Sequence, residues 1–186
     1  MSVKVTYFVH GTTTDNESHR STGWNPGGLS ELGVKQSKEP PSLIEGKKFD
    51  AVFCSDLKRA VDSAEWNFPD REVVQDARLR ECNYDDLNGA DSDLVDDADH
   101  IEVPFPNGES MLDVEKRVRD FCKFLLNNYG GGHIAVVAHK APQFAFEVIT
   151  TGKTWPEVIA SDWREVGKWQ PGWEYLVKNN MEERER

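Results

Sequence analysis

Two histidines, His10 and His139, each end an apolar run, and each is followed at once by a loop or helix start, Gly11 in one case and Lys140 in the other. Imidazole is neutral near pH 7 and carries a lone pair that can attack an electrophile or accept a proton. Arg59 follows a third junction of the same kind, Ser55-Asp56, and brings a planar guanidinium whose donors match phosphate or carboxylate oxygens. Together these residue types suit displacement at an anionic centre. A histidine at a strand end commonly serves structure alone, so the reading depends on whether the fold gathers them.

The flanking pattern says that it does. Val3 to Val9, Phe49 to Cys54, Glu72 to Leu79 and His133 to Ala138 are β-branched and aromatic runs that read as strands, with Trp173 to Val177 a short last one. Helices are expected from Leu29 to about Gln36, behind an N-cap at Ser55-Asp56, behind Ser110, from Lys140 and over Thr154 to Val166. Pro40-Pro41 should break the first of them. Ser110 with Asp113 has the form of a capping box, and Val114, Val118, Phe121, Cys122, Leu125 and Leu126 make one apolar stripe behind it. Pro142 sits where a first helical turn tolerates it. Alternating strands and helices predict an α/β fold of three layers, α/β/α, around a mostly parallel sheet. In such sheets ligands bind beyond the carboxyl ends of the strands, so parallel neighbours ending at His10 and His139 would place both imidazoles in one pocket, near Arg59.

Charge narrows the class of partner. The 186 residues carry 22 Lys and Arg against 33 Asp and Glu, a formal charge of −11, which argues against nucleic acid as a partner. Mean hydropathy is −0.64 and no apolar run approaches the roughly 18 residues of a membrane span, so no membrane role is expected. The start of the chain shows no secretory signal pattern. Cys54, Cys82 and Cys122 lack the spacing of a metal or redox motif, and three free thiols in the cytoplasm are the expectation. Eight of the acidic residues fall between Asp85 and Glu102, a stretch without Lys or Arg; the rest of the chain sums to only −3.

The ordered set of motifs resembles the histidine phosphatase superfamily, the phosphoglycerate mutase-like fold. An Arg-His-Gly motif with Asn five residues on reads here Val9-His10-Gly11 with Asn16, followed by Gly23-Trp24 and by Leu29-Ser30-Glu31-Leu32-Gly33-Val34-Lys35-Gln36. Ser55-Asp56-Leu57-Lys58-Arg59-Ala60, Leu79-Arg80-Glu81, Gly108-Glu109-Ser110 and His139 continue the match, which spans about residues 3 to 150. The resemblance implies one domain over 1–178, with an acidic, lid-like insertion at 85–106 and a polar tail at 179–186. It implies that His10 takes the phosphoryl group and Glu81 protonates the leaving oxygen. Arg59 and His139 would hold phosphate oxygens, with Gly11 and Asn16 as further contacts. No metal or other cofactor is implied; the partner is a small phosphorylated substrate, and oligomeric state is not readable.

Two positions depart from that pattern. Val9 stands where the first Arg belongs, and losing one preorganised donor to a charged transition state costs on the order of 2.7–4 kcal/mol. Lys140 stands where Gly usually follows the second His; it is either a replacement cation for the phosphate, ahead of Arg20 or His19 in that role, or a solvent-facing lysine at a helix start. Asp85 and Asp86 compete with Glu81 as the acid, and Glu109 suits a helix N-terminus better than a site. Trp155, Trp163, Trp169 and Trp173 are expected to pack the C-terminal layer. The acidic stretch is either a solvated loop or a wall over the site. The leading function is a phosphomonoesterase acting through phosphohistidine. The alternatives are a degenerate phosphate-binding domain and, disfavoured by the short chain, a phosphoglycerate mutase.

Overall fold

The computed structural model describes residues 1–39, 44–164 and 172–179. Its central sheet has the order β4-β3-β6-β1-β7, formed by β1 (Ser2–Val9), β3 (Ala51–Cys54), β4 (Val73–Gln75), β6 (His133–Ala138) and β7 (Trp173–Lys178). β1 runs parallel to β6, and β3 runs parallel to both β6 and β4; only β7 is antiparallel, against β1. A second, two-stranded ribbon joins β2 (Arg20–Ser21) to β5 (Ala90–Asp91).

Strand alternation divides the core in two, because successive side chains point to opposite faces. Val3, Val5, Tyr7 and Val9 of β1, with Ile134, Val136 and Ala138 of β6, pack against α4 (Met111–Asn128) and α5 (Lys140–Thr151). Phe8, Ala135 and Val137 face the other way, onto Ala64 of α3 (Lys58–Asn67) and Phe68 behind it. That gives the three-layer α/β/α arrangement. The α4 stripe is buried as expected, and the Ser110–Asp113 capping box forms in both directions. Its six buried Met, Val, Phe and Leu side chains, at about 1.5–3 kcal/mol each, make α4 the main anchor of its layer.

Several boundaries differ from the sequence pattern for local reasons. α3 starts after Leu57 with no side-chain cap. Ser55 Oγ instead accepts from the Leu57 N–H, and Asp56 takes a bidentate bond from Arg80, at 2.7 and 2.6 Å, which holds its carboxyl below the usual range. β4 is only three residues long, because Asp76 caps a short 3₁₀ turn at Ala77–Leu79. α6 (Trp155–Ala160) stops well before Val166: Asp162 accepts from the Arg164 backbone at 2.9 Å, a local turn that competes with helix. α2 (Glu31–Lys38), capped by Ser30, packs on α3. Pro40-Pro41, residues 165 and 166 of the expected last helix, Trp169 and all but Asn179 of the expected tail lie outside the described residues. Trp155 is buried, Trp173 packs edge-on to Tyr7 and stacks obliquely on Trp163, and all three cysteines are buried and free. Among the described residues no helix is long and apolar enough to cross a membrane.

Candidate active site

Parallel pairing of β1 with β6 aligns Val9 with Ala138, so His10 and His139 leave the sheet at the same edge. Their ring centroids are 5.0 Å apart. His10 Nδ1 lies 2.7 Å from the Gly11 carbonyl. A carbonyl only accepts, so Nδ1 bears the proton and Nε2 carries the lone pair. Arg59 Nε–H points at that lone pair from 3.3 Å, while its two terminal nitrogens donate to the carbonyls of Gly23, at 2.8 Å, and Asn25, at 3.4 Å. Burial and the Arg59 charge lower the His10 pKa to about 3, so its ring is neutral at physiological pH.

Behind His10, His139 is fully buried, and neither of its ring nitrogens has a partner among the described residues. Burial, then Arg59 and His10, push its pKa well below the usual value. Its backbone is fixed by one hydroxyl: Tyr7 OH donates to the His139 carbonyl at 2.8 Å and accepts from its N–H at 3.1 Å. Glu81 approaches from the turn after β4. Its Oε1 accepts the N–H groups of Cys82, at 2.9 Å, and Ala141, at 3.0 Å, the latter in the first turn of α5. Both bonds fall on Oε1.

His10, Arg59 and Glu81 border a cleft of about 760 Å³ whose walls also include Val9, Asn16 and Lys140, while His139 lies buried behind His10 and is not on the wall. Asn16 is there, with its amide oxygen taken by the Thr13 N–H in the cap of α1 (Thr14–Glu17). Gly11 has a different place from the one expected. Its N–H donates to Ser63 Oγ at 2.9 Å, and a Cβ on it would stand 2.4 Å from the Gly33 carbonyl, so the glycine permits close packing of α2 and α3 and is not on the cleft wall. Lys140 is on the wall yet nine-tenths buried, and its ammonium is paired with Asp97. It is neither solvent-facing nor an uncommitted cation for the phosphate. Arg20 and His19 line the outer part of the cleft and are exposed, with Arg20 donating to the Gly89 carbonyl.

The competing acids fall away: Asp85 and Asp86 are exposed and border no part of the cleft, whereas Glu81 does. The acidic stretch is more than a solvated loop. Through β2 and β5 it is stitched to the segment after His10, and Ser92, Asp93 and Val95 form part of the cleft wall.

Sequence reasoning missed the residues that hold Glu81 in place. Arg117 of α4 donates to the carbonyls of Arg78, Arg80 and Glu81 at 2.7, 2.7 and 3.0 Å, while Glu109 binds its guanidinium at 2.9 and 3.1 Å. Trp24 Nε1 also donates to the Glu81 carbonyl, at 2.7 Å. A signal existed for Arg117, since it is a cation eight residues after Glu109 on the α4 face next to the apolar stripe. Trp163 and Arg164 of the cleft wall had no such signal.

Residues 7–146 match the histidine phosphatase superfamily, branch 1. The chain is 30% identical over 168 residues to a 2,3-bisphosphoglycerate-dependent phosphoglycerate mutase of Methylocella silvestris, covering 81% of this chain and 82% of that protein. A mutase of the same name from Xanthobacter autotrophicus is 30% identical over 178 residues and is covered to 86%, as is this chain. The length of this chain is therefore no argument against a mutase. Among solved structures, the mycobacterial glucosyl-3-phosphoglycerate phosphatase complexed with VO3 superposes with a TM-score of 0.74 at 25% identity, covering 84% of this chain and 86% of that one. The α-ribazole phosphatase of Shigella flexneri gives 0.72 at 24% identity, with 83% of each chain covered. With the sheet order, the paired histidines and this match in agreement, the chain belongs to the histidine phosphatase superfamily.

Proposed function

We propose that the protein is a cytoplasmic, metal-independent phosphomonoesterase that hydrolyses a small phosphorylated metabolite through a phosphohistidine. The observation that carries this reading is the state of His10: proton on Nδ1 and lone pair on Nε2, on a ring that lines the cleft beside a buried guanidinium. His10 Nε2 bonds to phosphorus as the ester P–O bond breaks, and Glu81 Oε2 gives its proton to the departing alkoxide. Water then adds to phosphorus, returning a proton to Glu81 as the N–P bond breaks, so that alcohol and phosphate leave and the imidazole is neutral again. Arg59 turns its Nε–H from His10 to the phosphate oxygens, whose charge it offsets. The two unpartnered nitrogens of buried His139 support a phosphate oxygen there, because a buried polar group without a partner costs about 1–3 kcal/mol.

Mutase activity is the second reading, favoured by the names of the relatives at 30% identity. A mutase must bind a bisphosphate donor and exclude water from its phosphohistidine. Against it stand the eight carboxylates of Asp85 to Glu102, with Asp93 on the cleft wall. The test incubates the wild type and His10→Ala with an aryl phosphate, and with 3-phosphoglycerate plus 2,3-bisphosphoglycerate. His10-dependent release of phosphate is the expected result. Transfer exceeding release would make the protein a mutase, and no His10-dependent reaction would make it a binding domain.

A further inference from the structure

Of the eight acidic residues between Asp85 and Glu102, only Asp97 is buried. Its carboxylate meets the Lys140 ammonium, and Lys140 follows His139 directly at the start of α5, on the wall of the cleft. Both side chains are at least nine-tenths removed from solvent, and Asp97 Oδ1 has no hydrogen-bond partner among the described residues. Burying two charges costs several kcal/mol per ion before their attraction offsets it, so such a pair is a poor device for stability alone. Arg164, the other cation on that side of the cleft, has its own counter-ion: Asp162 binds its guanidinium at 2.6 to 3.1 Å. Arg20 remains at the rim, but it is exposed, where solvent screens a single charge strongly.

Apart from Arg59 and the exposed Arg20 at the rim, then, the cations of the cleft wall, Lys140 and Arg164, already have carboxylates. We propose that Asp97 is a built-in counter-ion that fills the anion subsite Lys140 would otherwise form, so that the enzyme selects phosphomonoesters whose alcohol part bears no second negative charge. A substrate carboxylate or second phosphate would have to displace Asp97 or sit beside it, at the cost of like charges in a partly desolvated place. A neutral hydroxylated alcohol makes no such demand, and Ser21, Thr22 and Ser92 on the cleft wall offer it hydroxyl groups. This proposal rests on the phosphate site of the preceding section, but it is a statement about binding and needs no turnover.

Two esters that differ only in one group test it: glycerol 3-phosphate, with a neutral hydroxymethyl end, and 3-phosphoglycerate, with a carboxylate there. Calorimetric titration of full-length His10→Ala protein, which cannot form the phosphohistidine, should show glycerol 3-phosphate binding at least as tightly as 3-phosphoglycerate. Adding Asp97→Asn, which keeps an acceptor for the Lys140 ammonium, should tighten 3-phosphoglycerate about tenfold, as a freed charged hydrogen bond would, and alter glycerol 3-phosphate less than twofold. Replacing both partners, by Lys140→Met with Asp97→Leu, should abolish that gain. Preference of the His10→Ala protein for 3-phosphoglycerate by tenfold would overturn the proposal without any Asp97 variant. Equal effects of Asp97→Asn on the two esters, or a gain that survives loss of Lys140, would overturn it as well. Binding of neither ester would remove the phosphate site and this proposal together, whereas binding of both with no dependence on Asp97 would remove only this proposal.

Discussion

His10 keeps its proton on Nδ1 because Gly11 offers a carbonyl there, and burial beside Arg59 holds its pKa at about 3. Burial, then Arg59 and His10, hold His139 well below its usual value too. Both rings are depressed from the 6.5 of an unfolded chain, so under pH 6.5 the unfolded state binds more protons. The stability from these two neutral rings is therefore complete above pH 6.5 and is lost as pH falls toward 3, by at most about 1.4 kcal/mol per pH unit for each ring. Urea midpoints should drop between pH 7 and pH 5, and the drop should shrink in the double variant His10→Asn with His139→Gln. A midpoint that is flat across that range in the wild type would contradict the assignment. Asp56, Asp113 and Asp162, whose carboxyls are held below 3.8, act at lower pH, whereas His133, which burial and then Lys4 and Lys47 also lower, titrates in the same window and accounts for the part of the drop that the double variant keeps. At position 9, where the motif resemblance implies an arginine, an isopropyl group borders the cleft. Val9→Arg should raise kcat/KM for an aryl phosphate, by up to the 10²–10³-fold attributed to one preorganised donor; an unchanged or lower value would show that the cleft has adapted to its loss. That His10, Arg59 and Glu81 belong to one site was legible in sequence because each is a residue type with reactive or charged groups of its own, and the structure places all three on one cleft. The proton position on His10, the bond from Gly11 to Ser63 and the partner of Lys140 were not, since each depends on an atom brought near by the fold.

α4 and the turn after β4 work together through Arg117, which ties three carbonyls of residues 78, 80 and 81 to Glu109. Loss of that guanidinium leaves Glu81 correctly placed in sequence but loosely placed in space. Arg117→Met should lower kcat at least tenfold for an alkyl phosphate, whose alkoxide needs the acid, and much less for a nitrophenyl phosphate, whose leaving group does not. A purely structural role would reduce both alike. At the packing of β1 against α2 and α3, Gly11→Ala should destabilise by about 1–3 kcal/mol, read as a lower urea midpoint, because the Gly33 carbonyl stands in the way. Elements with strong periodicity, such as α4 and β6, could be drawn from sequence almost to the residue. Ends set by side-chain competition could not: Asp56 went to Arg80 in place of the α3 cap, and Asp162 turned the chain where the pattern continued a helix.

Over the whole molecule, a formal charge of −11 surrounds the cleft proposed to take a phosphate ester, and most of that excess lies in the stretch that forms one of its walls. Screening should therefore help binding. Raising ionic strength from about 0.01 to 0.15 M shortens the Debye length from about 30 to 8 Å and should lower KM for a dianionic phosphate ester, more so for a bisphosphate. A KM that rises with salt would show that the local field of Arg59 outweighs the acidic wall. The three-layer architecture was legible because alternation of strands and helices is a global pattern. The ribbon of β2 and β5 was not, being two residues on each side with no periodicity to announce it. That ribbon has a consequence for how the molecule opens. Two residue pairs, flanked by the Gly89-to-Ser21 and Ser92-to-His19 backbone bonds, join the acidic wall to the segment after His10, whereas β1 and β6 share six aligned pairs inside a double core. Amide hydrogens in the ribbon should exchange with solvent together and well ahead of those in the sheet, as a separate cooperative unit, so that the roof of the cleft can unfold and reform while the floor bearing His10 and His139 stays intact.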